Sequence, residues 1–85
     1  MIEVKIPYES KGNRMSIRIF DENGNFLTGY STATDKLYAS EHEVIGLIPP
    51  QFEGREYILF DVARQKRVAE GIIGNDSTIN LTTGE

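Results

Sequence analysis

Apolar and polar residues alternate from the start of the chain. Ile2, Val4, Ile6 and Tyr8 fall on one side, with Glu3, Lys5 and Pro7 between them, the period-2 pattern of a half-buried strand. Pro7 cannot donate to a ladder, so this strand ends there or lies at a sheet edge. Ser10-Lys11-Gly12-Asn13 reads as a turn. Met15, Ile17 and Ile19 then alternate with Ser16, Arg18 and Phe20, Asp21-Glu22-Asn23-Gly24-Asn25 follows, and residues 26–32 resume the strand pattern. Asn and Gly tolerate the positive φ of tight turns, so residues 15–32 read as a β-hairpin.

Residues 31–40 hold a short strand around 36–39 or only a crossing loop. Residues 43–48 predict a strand stopped by Pro49-Pro50, residues 51–55 a loop, and residues 56–62 the next strand. Ala63-Arg64-Gln65-Lys66 turns that strand into residues 67–73. A helix over residues 62–70 ranks second, because it is short and its apolar stripe is thin. Gly74-Asn75-Asp76 is another turn, and residues 77–82 form a closing strand with Ile79 and Leu81 facing inward and Asn80 outward. Six to seven short strands at even spacing predict an all-β fold, a small antiparallel β-sandwich of Ig-like or prealbumin-like kind, with a small barrel as the alternative. There is no internal repeat or linker, so residues 1–85 read as a single domain.

Composition agrees with the pattern. Ten Ile, four Val and six Thr stand against five Leu and four Ala, and branching at Cβ favours strands over helix. With no cysteine, neither a disulfide framework nor a thiolate metal site is available. Nine basic against thirteen acidic residues give a net charge of −4 and a pI near 4.9, which disfavours nucleic acid and anionic membranes as partners. No secretion signal or membrane-length apolar run is evident, so the compartment stays unknown, with a cell-surface or virion setting favoured.

The order of signals from Ile17 to Leu81 resembles the prealbumin-like sandwiches of the Cna-B-type and carboxypeptidase-regulatory-like modules of bacterial surface proteins. The residues concerned are Asp21-Glu22-Asn23-Gly24, Thr34-Asp35, Tyr38, Gly46-Leu47-Ile48-Pro49, Tyr57-Ile58-Leu59 and the run from Ser77 to Leu81. The resemblance implies a stalk, adhesin or assembly module. An Asp-Gly after Thr34-Asp35 and a lysine in the Met15–Phe20 strand, both usual in those modules, are missing here. Lys5 and Asn80 lie in the first and last strands, but Asn80 is expected to face solvent, so an internal isopeptide bond is not expected.

Candidate chemistry is sparse. His42 lies between Glu41 and Glu43, but on a strand its neighbours point the other way, and it reads as an exposed residue at a strand entry. Asp21-Glu22-Asn23-Gly24-Asn25 lacks the downstream acid of a calcium loop. No serine has a nucleophile-elbow context, and no phosphate-binding glycine motif occurs. An enzyme is not expected, nor any cofactor or metal. The leading expectation is a non-catalytic protein–protein interaction or assembly module, such as a surface-protein domain or a small phage virion protein. Its candidate contacts are Phe20, Phe26, Tyr30, Phe52, Arg64, Lys66 and Arg67. Phe20 and Phe26 flank the hairpin turn as a cross-strand pair. The alternatives are a carbohydrate- or small-ligand-binding module using Tyr30, Tyr38 and Tyr57, and an acidic inhibitor of a host enzyme. Residues 2–6, as an edge strand, are expected to pair between copies.

Overall fold

Among the described residues eight strands form, the longer ones mostly where apolar residues recur at every second position. They are β1 (Ile2–Pro7), β2 (Met15–Phe20), β3 (Phe26–Ser31), β4 (Leu37–Ala39), β5 (Glu43–Ile48), β6 (Glu56–Asp61), β7 (Lys66–Ile72) and β8 (Ile79–Asn80). A 3-10 turn, Pro50–Phe52, separates β5 from β6. The computed structural model describes residues 1–74 and 79–81, and at 79 and 80 only the backbone.

The strands make two antiparallel sheets, β1-β5-β4 and β3-β2-β6-β7-β8. These face each other as a small sandwich and do not close into a barrel. The inward residues of both sheets form one core: Val4 and Ile6, Met15, Ile17 and Ile19, Leu37, Val44 and Ile48, Tyr57 and Leu59, Val68 and Ala69, and Ile73. Gly46 marks where the sheets meet, since a Cβ there would lie 3.6 Å from Leu37 and 3.8 Å from Ile17.

The hairpin expected over residues 15–32 is present, with Ile17 opposite Tyr30 and Phe20 opposite Phe26. Its turn is held by Asp21, whose Oδ1 accepts from the N–H of Asn23 at 2.9 Å and of Asn25 at 2.8 Å. The Asn25 N–H foremost, with burial opposing, holds the Asp21 carboxyl below its ordinary value. Gly24 takes a φ of 82°, which a glycine adopts without steric cost. Pro7 ends β1, and β1 is an edge strand, as its proline implied.

The strand–turn–strand reading of residues 56–73 holds: β6 and β7 form a hairpin, because both runs bury a face on the core, and the second-ranked helix over residues 62–70 does not form. A bulge in β7 turns both Val68 and Ala69 inward, which broke the simple alternation in sequence. Leu81 is exposed rather than inward, lying beyond the two-residue ladder that pairs β8 with β7. The turn expected at residues 74–76 and the remainder of the strand expected at 77–82 fall largely outside the described residues.

Candidate interaction surface and inter-sheet clamp

The five-stranded sheet carries apolar side chains on its outer face as well as its inner one. In its register Phe26, Phe20, Glu56 and Ile72 lie side by side. Gly29, Arg18, Ile58 and Glu70 form the next row, and Ser31, Ser16, Phe60 and Arg67 the third. All of these lie opposite in parity to the buried Ile17, Ile19, Tyr57 and Leu59, and therefore point away from the core. Phe20, Ile58, Phe60 and Ile72 are half-buried by one another, while Phe26 is 60% exposed. The Phe20 and Phe26 rings meet edge to face, centroids 6.3 Å apart, and the Arg18 guanidinium sits 5.4 Å from the centre of the Phe60 ring. A shallow groove runs along this face between Phe20, Ile58, Arg67, Glu70 and Ile72. The surface is thus an apolar strip carrying two arginines and two glutamates.

Of the residues expected to make contacts, Phe20, Phe26 and Arg67 come together here. The others do not. Tyr30 pairs with Ile17 on the inner side and packs against the core, as does Phe52 from the 3-10 turn. Lys66 lies opposite Asp61 at the start of β7. Arg64 is on the β6–β7 turn, with its guanidinium folded back onto Tyr8 and Asp61.

That interaction forms a clamp between the sheets. Tyr8 follows β1 of one sheet, and Asp61 ends β6 of the other. The Tyr8 hydroxyl donates to Asp61 Oδ2 at 2.6 Å, and Arg64 Nη1 donates to the Tyr8 hydroxyl, to Asp61 Oδ2 at 3.2 Å and to the Glu9 carbonyl at 3.2 Å. The Arg64 N–H also reaches Asp61 Oδ1 at 3.0 Å. The guanidinium lies 5.6 Å from the centre of the Tyr8 ring. Asp61 is fully buried. Burial pushes its carboxyl up, but the hydrogen bonds from Tyr8, the Arg64 backbone and Asn13, with the Arg64 charge, outweigh this and hold it below its usual range. Tyr8 is pushed up, first by burial and then by donating to the Asp61 carboxylate, with Arg64 opposing. The clamp was missed in the sequence, although Asp61 continues the inward parity of Tyr57 and Leu59, and an acid at a core position demands partners.

His42 lies in the loop before β5, largely exposed, with its Nε2 3.9 Å from Glu41. Strand alternation does not apply there, and the pairing is a surface contact. Among the described residues no three His, Cys, Asp or Glu side chains are grouped to hold a metal ion, and no helix is long and apolar enough to cross a membrane. The three tyrosines of the carbohydrate alternative do not share a face. Tyr57 is 1% exposed in the core, Tyr30 packs inward, and Tyr38 lies on the other sheet beside Ile45.

Comparison of the chain with protein-family models, curated proteins and solved structures gives no match in any of the three.

Proposed function

We propose that this domain is a non-catalytic protein–protein interaction module that binds its partner through the outer face of the five-stranded sheet. One observation carries the reading: Phe20, Phe26, Ile58, Phe60 and Ile72 line a single outward surface. A sheet with one solvated face reads as clean alternation, whereas a strand covered on both faces reads as an unbroken apolar run. Tyr57-Ile58-Leu59-Phe60 in the central strand β6 is such a run. Contiguous apolar surface rimmed by charge is characteristic of protein interfaces, and Arg18, resting on Phe60, is of a type enriched among the residues that dominate their energetics. The likeness to surface-protein modules and a virion or cell-surface setting belong to the same proposal.

The test places a photo-crosslinking residue at Phe26, at Ile58 and, on the opposite sheet, at Lys5, within the source cells. One protein captured from both Phe26 and Ile58, not from Lys5, and lost when Arg18→Glu is added, supports the reading. Equal, scattered capture from both faces refutes it.

A further inference from the structure

Among the described residues the two sheets have β1 and β4 at the edges of one and β3 and β8 at the edges of the other. An unpaired edge is a template for another chain, and proteins blunt it with short strands, proline, charge or a bulge. β4 has three residues and β8 two. β1 has six, but they include Glu3, Lys5 and Pro7. The Tyr8 N–H donates to the His42 carbonyl at 3.0 Å, and by alternation the backbone groups of Ile6, Val4 and Ile2 face β5 while those of Glu3, Lys5 and Pro7 face the edge. β1 is therefore guarded along its rim.

β3 is guarded only by a bulge at its start, where the register against β2 shifts between Ile19 and Phe20 and leaves Thr28 to Ser31 in regular pairing. Its six residues, Phe-Leu-Thr-Gly-Tyr-Ser, include no charge and no proline, and no described strand pairs with its outer side. The Thr32 N–H donates to the Met15 carbonyl at 3.1 Å. Tyr30 and Thr28, opposite Ile17 and Ile19, therefore direct their backbone groups into β2, and Gly29 and Ser31 direct theirs outward. The Ser31 carbonyl is occupied by the Thr34 N–H at 2.9 Å, which closes one end of the edge. The Phe26 ring lies over Gly29: a Cβ added there would be 3.6 Å from its ring carbons and 3.3 Å from the Ile17 carbonyl.

We infer that β3 pairs antiparallel with β3 of a second copy, with Gly29 on the two-fold axis, joining two five-stranded sheets into one of ten strands. Several features select a second copy. Across such an axis each Gly29 N–H meets the other Gly29 carbonyl, and each Ser31 N–H points toward the bulged Leu27 end of the second copy. Opposed residues in an antiparallel pair share a face, so both Phe26 rings, each already resting on its own Gly29, come together on the same side of the axis. The ring that is 60% exposed in one copy is covered by its equivalent. The edge is uncharged, so no like charges oppose one another along the paired strands. The apolar outer faces of the two copies also become continuous. This pairing is distinct from partner binding on the outer face.

Sedimentation equilibrium up to millimolar concentration tests the inference, with circular dichroism confirming that each variant is folded. A monomer–dimer equilibrium is expected, weakened about tenfold or more by Leu27→Lys, which adds the charge that guards natural edges. Pro7→Lys on the β1 edge should leave it unchanged. In wild type, amide exchange at Gly29 and Ser31 should slow as concentration rises. Monomer throughout, a dimer insensitive to Leu27→Lys, or slowing at Glu3 and Lys5 instead would each overturn it. Ile58→Glu separates the two proposals, since it should abolish partner capture and leave the β3 dimer intact.

Discussion

Replacing Tyr8 with phenylalanine removes one oxygen from the clamp, with its bonds to Asp61 and from Arg64, and leaves the ring, its burial and its stacking against the Arg64 guanidinium in place. The loss falls on Asp61, a fully buried carboxylate whose shortest bond is the 2.6 Å one from that hydroxyl. Hydrogen bonds to charged groups contribute about 1.5–3 kcal/mol each. Asp61 retains donors from Arg64 at 3.0 and 3.2 Å, so the expected loss is about 2 kcal/mol. In a domain of this size that lowers Tm by roughly 10 °C. The variant also changes the pH dependence. Asp61 titrates below its ordinary value, so its contribution is present above the unfolded carboxylate value of about 4 and is lost as pH falls through its lower folded value. Tyr8→Phe withdraws a donor to the charged form, raises that folded value, and moves acid unfolding to higher pH. At the alkaline end, wild-type Tyr8 titrates above its ordinary value of about 10, so its stability is present below that value and declines as pH rises past it. The variant lacks that decline. Urea unfolding monitored from acid to alkaline pH measures all three effects. A neutral-pH stability within about 0.5 kcal/mol of wild type, the range of an inert surface change, together with an unshifted acid limb, would refute the clamp.

Gly46 lies mid-strand in β5, yet a Cβ there would make ordinary contacts of 3.5–3.8 Å with Ile48, Leu37 and Ile17. Gly46→Ala should therefore stabilise by about 0.5–1 kcal/mol in urea unfolding, through reduced chain entropy in the unfolded state. Gln65 holds a φ of 52° in the β6–β7 turn, so Gln65→Gly should also raise stability, by up to about 1 kcal/mol, read by calorimetry. Leu59→Ala, at a fully buried position facing the opposite sheet, should cost about 2–5 kcal/mol and bring the domain close to unfolding at ambient temperature.

Much of the fold was legible in the chain. Ile2, Val4 and Ile6, then Met15, Ile17 and Ile19, fixed which side of each strand is inward, because a strand has a strict period of two and only one side reaches the core. Asp21 and Gly24 located the first hairpin because few residues satisfy its turn. The proline pair closed β5, and Pro7 identified an edge. The Phe20–Phe26 pair followed from the same hairpin, since its register is set locally by the turn.

The candidate surface and the clamp were not legible, and the reason is distance along the chain. Phe20, Ile58 and Ile72 become neighbours only when β2, β6 and β7 adopt one register, which is settled by packing across the whole core. Nothing local to the turn at residues 61–66 shows that Asp61 is matched by Tyr8, 53 residues away. The bareness of β3 is likewise a property of the assembled sheet: the residues lack charge in the sequence, but only the strand order leaves them at the rim. Local periodicity and turn chemistry set the elements of this protein, while long-range pairing alone decided which side chains meet and which backbone groups remain open.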